Sequence, residues 1–289
     1  MTGHLRAWVD GTLVAADEAH VSAYDVGFRS GEGVFETLRA FGAHPFRLDA
    51  HVARAVAGAA TLGFILDADR LTAAVRTTVD ANLAAFDGRD SAVRVTVSAG
   101  QLDPNAPFGS PPVAGPTVVV TSHRIGTAPA TVRAVTVTTA RDLPHVKATS
   151  YLTAITARRQ AREQGADEAI LVTGDGTVLE GASTNVFAVV DGVLVTPPVR
   201  DGLLAGVTRS VVLELADALD LPTDVRSLAV DELQSADEAF VTASVRGLVP
   251  LVEVDRAVIA SGTPGRRTAQ LQAAYADQVR REQRTGGAT

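Results

Sequence analysis

The sequence predicts an α+β protein built as two domains. Its 289 residues are enough for two cores of ordinary size. Apolar residues recur with the two-residue period of strands and the 3.6-residue period of helices, by turns, through both halves. No internal repeat and no low-complexity segment points to a solenoid or a tail.

In the first half, residues 7–9 read as a strand entering a turn at Asp10-Gly11. Residues 33–41 alternate as a strand around Val34, Glu36, Leu38 and Ala40. A helix is expected over 49–62, with Asp49 as N-cap and Gly63 as its stop, and a second over 68–85. Strands follow at 92–98 and 117–122, separated by a Pro- and Gly-rich loop at 100–116. Residues 122–130, with His123, Gly126 and Pro129, read as the interdomain linker, giving domains 1–121 and 131–289.

The second half opens with a β-branched strand at 132–139 and continues to a helix at 149–164 that stops at Gly165. Gly174-Asp175-Gly176 and Asp191-Gly192 mark two hairpins, flanked by apolar strands at 169–172, 186–190 and 193–195. Gly206 precedes an apolar helix at 207–219. A strand at 238–242, a turn at 243–247 and a terminal helix at 266–281 complete the reading.

Composition narrows the chemistry. A net charge of −7 argues against nucleic acid as a partner, because phosphate backbones require an electropositive surface. No apolar run approaches a membrane span, and the opening residues Met1 to Arg6 carry no apolar leader, which leads to the expectation of a cytoplasmic protein. Without cysteine there is no disulfide or thiolate site, and no His-x-x-x-His or Asp/His grouping suggests a metal. Gly27 to Gly33 is glycine-rich but no helix pattern follows it, so it reads as a close-approach turn before a strand rather than a phosphate loop.

One lysine, Lys147, stands against twenty-five arginines. Arginine stays protonated, whereas a desolvated primary amine attacks carbonyls and forms Schiff bases. Chance survival in an Arg-rich composition explains the count equally well, so the surroundings of Lys147 decide. If it holds a carbonyl cofactor such as pyridoxal phosphate, three further groups are needed. Glu180, at a strand end, suits the pyridine nitrogen; alone it reads as a solvated carboxylate. Gly206-Val207-Thr208-Arg209 opens a helix whose first amides and Thr208 hydroxyl suit a phosphate, or simply cap the helix. Arg54 shares a helix face with His51 and offers a bidentate charge, or a surface ion pair.

The order of these motifs resembles the class IV aminotransferase family of pyridoxal-phosphate enzymes, and within it the aminodeoxychorismate lyase-like members. The resemblance rests on Asp25 to Thr37, His51-Val52-Ala53-Arg54, Lys147 to Leu152, Glu180 to Phe187, Thr196-Pro197-Pro198, Leu204 to Arg209, and Ala236 to Ser244. It implies the two-domain fold type IV (D-amino acid aminotransferase-like) architecture and a homodimer, with the active site between the domains. It also implies residue roles. Lys147 would be the Schiff-base lysine and proton shuttle, and Glu180 the partner of the pyridine nitrogen. Arg54, the Val207 and Thr208 amides and Ser244 would hold the phosphate, and Tyr151 the ring hydroxyl. Phe28, Arg94 and Arg246 would face a small-molecule amino substrate.

The family's D-amino acid enzymes carry Arg-x-His where this chain has Arg94-Val95-Thr96, and its branched-chain enzymes carry Tyr-x-Arg where this chain has Ala92-Val93-Arg94. Neither pattern is complete. Two arginines, Arg94 and Arg246, suit a substrate with two carboxylates. The first expectation is therefore 4-amino-4-deoxychorismate lyase, releasing pyruvate and 4-aminobenzoate for folate synthesis. The alternative is a class IV aminotransferase acting on branched-chain or D-amino acids; a pyridoxal-phosphate-binding protein without turnover is a third reading.

Overall fold

The computed structural model describes residues 5–107, 109–139 and 141–285. Residues 1–4 of the Met1 to Arg6 stretch, expected to carry no apolar leader, lie outside the described residues. The chain forms two units. One takes the residues up to Gly126, together with Val146–Ser150 and those from Glu282 onward; the other takes Thr127–His145 and Tyr151–Arg281.

The first unit contains β1 (Arg6–Val9), β2 (Thr12–Ala15), a one-turn α1 (Val26–Ser30), β3 (Gly33–Phe41), β4 (His44–Pro45), α2 (Leu48–Thr61), α3 (Ala68–Asn82), β5 (Ser91–Ser98) and β6 (Val118–Arg124). Its strands form one antiparallel sheet in the order β2-β1-β6-β5-β3-β4. Alternation along β3 sends Val34, Glu36, Leu38 and Ala40 to one face and Phe35 and Thr37 to the other. The apolar members of the first face pack with Leu48, Val52, Ala55 and Ala59 of α2 and Leu71, Val75 and Val79 of α3. Each such Leu or Val contributes roughly 1.5–3 kcal/mol by leaving water.

The second unit contains β7 (Val132–Thr138), α4 (Leu152–Glu163), β8 (Glu168–Val172), β9 (Thr177–Gly181), β10 (Asn185–Val190), β11 (Val193–Thr196), α5 (Val207–Ala218), β12 (Thr223–Val225), β13 (Leu228–Ala229), α6 (Val230–Gln234), β14 (Glu238–Ala243), β15 (Gly247–Val254) and β16 (Ala257–Val258). A terminal helix, α7 (Arg266–Thr285), follows. The sheet runs β12-β11-β10-β14-β15-β7-β8-β9-β13, with β16 on β15. Parallel pairing of β7 with β8 buries β8 throughout, so its Ala169–Val172 segment reads as an unbroken apolar run. Phe187 and Phe240 stand opposite each other on β10 and β14, and their rings stack at 4.9 Å. Asp191 and Gly192 both take positive φ, as a two-residue hairpin of this hand requires.

The α+β architecture matches the sequence expectation, and several boundaries move for identifiable reasons. Asp49 is not the N-cap of α2; Arg47 precedes the helix in the left-handed region and Asp49 sits in the first turn, where the helix dipole favours it. Ser122, His123 and Arg124, expected in the linker, are ladder residues of β6 opposite Val93, Ala92 and Ser91. The helix expected from residue 149 begins at Leu152. Thr149 cannot join it, because its N–H donates to the Gly33 carbonyl (2.9 Å) and its hydroxyl to the Gly31 carbonyl (2.7 Å). This return of residues 146–150 to the first unit departs from the domain division at 131. Strand β15 escapes the sequence reading because Pro250 interrupts its pattern. The glycine-rich stretch before β3 contains the single turn of α1, with Gly31 at φ +72.

Gly33 pairs with Ser98 on β5, and a Cβ there would lie 2.3 Å from the Val97 carbonyl oxygen. Backbone is the obstacle, so no rotamer relieves it. Gly33→Ala is expected to lose about 2 kcal/mol or more of unfolding free energy, read as a shifted urea midpoint at constant slope. A loss under about 0.5 kcal/mol, the range of unremarkable surface changes, would show that the strand pair yields.

Candidate active site

In the first unit, Lys147 is carried on a short return of the chain that pairs with β3. The Phe35 N–H donates to the Lys147 carbonyl (2.8 Å), and Ala148 bridges Val34. Lys147 is half-buried, with Nζ 4.6 Å from the Phe35 ring centroid. Arg94 of β5 places its guanidinium carbon 3.5 Å from the same centroid. Arg94 Nη1 lies 3.5 Å from the Thr37 hydroxyl, and Nε 3.4 Å from that of Thr96.

One residue along β3, Glu36 points to the helix-facing side, where it is buried. Arg54 grips it with a two-pronged fork, Nε to Oε1 at 2.7 Å and Nη2 to Oε2 at 2.6 Å. His51 Nδ1, 2.8 Å from Oε2, completes the cluster and carries a proton toward the carboxylate. Burial alone would raise the Glu36 pKa; the Arg54 hydrogen bonds and charge, with help from His51, overcome it and hold the value at about 2. Burial pushes the His51 pKa down, so its imidazole stays neutral at pH 7. The shared helix face of His51 and Arg54 thus exists to meet Glu36, a partner that sequence reading missed. The signal was present: Glu36 is the charged residue in the inward alternation Val34, Glu36, Leu38, Ala40.

In the second unit, Glu180 closes β9 and is buried. Its Oε2 accepts the Leu204 N–H (3.1 Å) and faces Asn185 Nδ2 (3.5 Å), while Arg141 Nη1 donates to Oε1. The Tyr151 hydroxyl donates to the Ala182 carbonyl (2.9 Å), and burial raises its pKa, keeping it a neutral phenol. Helix α5 begins after Gly206 with no side-chain cap, so the first-turn amides of Val207 and Thr208 lack that partner. Thr208 is buried and Ser244 half-buried in the β14–β15 turn. Arg246, half-buried, has its Nη2 3.6 Å from Oε2 of Glu168, a fully buried carboxyl whose pKa burial raises. Phe28, on α1, is 73% exposed. Arg141 and Glu168 gave no local signal, since their partners are remote in sequence.

The donor chemistry fits pyridoxal phosphate. A buried carboxylate ringed by donors suits a protonated ring nitrogen, an uncapped helix start with a buried threonine suits a phosphate, and the sole lysine supplies the amine. Among the described residues no group of His, Cys, Asp and Glu could hold a metal, and no helix is long and apolar enough to cross a membrane.

Residues 33–254 match the family model for amino-transferase class IV. A putative branched-chain-amino-acid aminotransferase of Methanocaldococcus jannaschii is 33% identical, over 94% of this chain and 96% of that protein. A D-alanine aminotransferase of Bacillus licheniformis is 31% identical, over 95% and 97%. The crystal structure of the branched-chain aminotransferase of Thermoproteus uzoniensis with norvaline superposes with a TM-score of 0.85 at 32% identity, covering 94% of this chain and 93% of that one.

Because the folded pKa of Glu36 lies below its ordinary 4.5, its contribution to stability is full above pH 4.5 and is lost as pH falls toward 2. Glu36→Gln removes the charge and strands Arg54, at an expected cost of roughly 3–5 kcal/mol. Thermal unfolding between pH 7 and pH 2 should show a smaller acid-induced drop in the variant than in the parent. Parallel curves would assign the acid sensitivity elsewhere.

Proposed function

The chain belongs to the class IV aminotransferases, which depend on pyridoxal 5'-phosphate, and we propose that it moves the amino group of an aliphatic α-amino acid of the branched-chain type onto a 2-oxo acid. The observation that carries this reading is that Lys147 and Arg94 both pack on the Phe35 ring. An α-amino acid bears its amine and carboxylate on one carbon. A guanidinium held on the ring that the lysine also packs against would take the carboxylate and leave the Cα–H toward the amine. Each relative described above is named an aminotransferase. The lyase reading rests on Arg94 and Arg246 as a pair for two carboxylates, and none of these relatives is named a lyase.

The cofactor, when bound, supplies the electron sink that lets the Cα proton leave. The chain's residues do the rest. Lys147 would be the residue that holds the cofactor, and its amine would take the substrate's Cα proton and return it. Glu180 would partner the ring nitrogen, and the neutral Tyr151 phenol would accept from the ring hydroxyl. The Val207 and Thr208 amides and the Ser244 hydroxyl would take the phosphate, with Arg54 adding charge while its fork stays on Glu36. We assign a homodimer as well, consistent with the exposed Phe28 of the first unit and the 67% exposed Leu152 of the second.

Borohydride reduction of the loaded protein should fix the cofactor's mass on the peptide containing Lys147. Incubation with 2-oxoglutarate and either L-leucine, L-valine or D-alanine should give the 2-oxo acid fastest from the branched-chain donors. Faster turnover of D-alanine would move the assignment to the D-amino acid type. Release of pyruvate and 4-aminobenzoate from aminodeoxychorismate, with no transamination of any donor, would replace it with the lyase.

Arg94→Met should lower kcat/KM for the best α-amino acid by about 100-fold or more, the loss of a charge-assisted pair. The same reaction with the corresponding amine lacking a carboxylate should change little. Equal losses for both donors would remove Arg94 from carboxylate binding.

A further inference from the structure

Asn185, the first residue of β10, is buried and makes three contacts with one amide. Its Nδ2 donates to the Leu204 carbonyl at 2.9 Å and lies 3.5 Å from Glu180 Oε2. Leu204 in turn gives its N–H to the same Oε2 at 3.1 Å. The Asn185 carbonyl oxygen packs so closely on Gly206 that a Cβ at Gly206 would fall 1.9 Å from it. Gly206 is the residue from which α5 starts. Carboxylate, connecting strap and helix start are thus joined through a single side chain.

The two oxygens of Glu180 are treated differently. Oε2 is held by neutral donors on the protein frame, while Oε1 receives the guanidinium of Arg141. We infer that Asn185 is a positioning residue that pins Oε2, thereby aiming Oε1 at a cation and setting the reach from Glu180 to the α5 amides. The inference rests on the reading of Glu180 as partner of the cofactor's ring nitrogen. Residue type follows from the contacts. Leucine of similar size leaves the buried Leu204 carbonyl and Oε2 without the amide donor. Aspartate sets a second carboxylate against the first. Asparagine alone supplies a donor on one side and a small acceptor oxygen on the other.

The ring nitrogen reports the effect directly. The protein is loaded with pyridoxal phosphate carrying ¹⁵N in the ring, and the ¹⁵N chemical shift is read for the parent, Asn185→Leu, Asn185→Ser and Glu180→Gln. The parent should show a protonated ring nitrogen. In Asn185→Leu the resonance should move toward the unprotonated position, as in Glu180→Gln, and the Kd for pyridoxal phosphate should rise about tenfold or more, the loss of one buried hydrogen bond to a charged group. Asn185→Ser, which leaves room for a water, should fall between parent and Asn185→Leu and is read at saturating cofactor if the leucine variant does not load. kcat should fall in both while KM for the amino donor stays near the parent's.

An unchanged ¹⁵N shift in loaded Asn185 variants would overturn the inference and leave Asn185 a packing residue. If Glu180→Gln also keeps the ring nitrogen protonated, the reading of Glu180 fails rather than the role of Asn185 alone.

Discussion

The return of residues 147–149 to β3 is the pairing on which the first unit's chemistry depends. Main-chain bonds from Phe35 to Lys147 and from Thr149 to Gly33 seat the lysine by backbone geometry, not by its own flexible side chain. That fixes which ring it meets. Strand alternation then sorts the neighbours: Phe35 toward the lysine and Arg94, Glu36 toward His51 and Arg54. A shift of register by one residue would exchange the two sets, placing a carboxylate under the amine.

Both units bury acidic groups, and each is handled by a different rule. Glu36 is neutralised in full by a forked guanidinium and a neutral imidazole, which makes it a structural anchor at any ordinary pH. Glu180 has one oxygen tied to the frame and the other on a cation. Glu168 has a backbone amide and a distant arginine, and burial leaves its proton hard to remove. The three carboxyls share low exposure and differ in their partners, and partners decide what a buried acid does.

Legibility in the sequence followed the range of the interactions. Strand β3 and the start of α5 were readable, because alternation and a glycine boundary are local. The start of α4 was not, since Thr149 spends both its donors more than a hundred residues away. The chemistry-bearing types, Lys147, Glu180 and Arg54, stood out by composition and motif. Arg141 and Asn185 gained their meaning only when the fold brought them to Glu180. Substrate choice was read least well: counting arginines suggested two carboxylates, whereas the relatives that match the chain are named aminotransferases.

Placing the sole lysine inside a ladder has a further consequence, for proteolysis. A protease that cuts after lysine has one internal target in this chain, the bond between residues 147 and 148. Its carbonyl is an acceptor for Phe35, and Ala148 bridges Val34. A protease must draw several residues into its own cleft, so the bond is cleavable only while this bridge is open. The folded chain therefore carries a built-in clock: with protease enough to cut faster than the bridge recloses, the rate at which it splits into two fragments counts the openings of the segment that presents its amine.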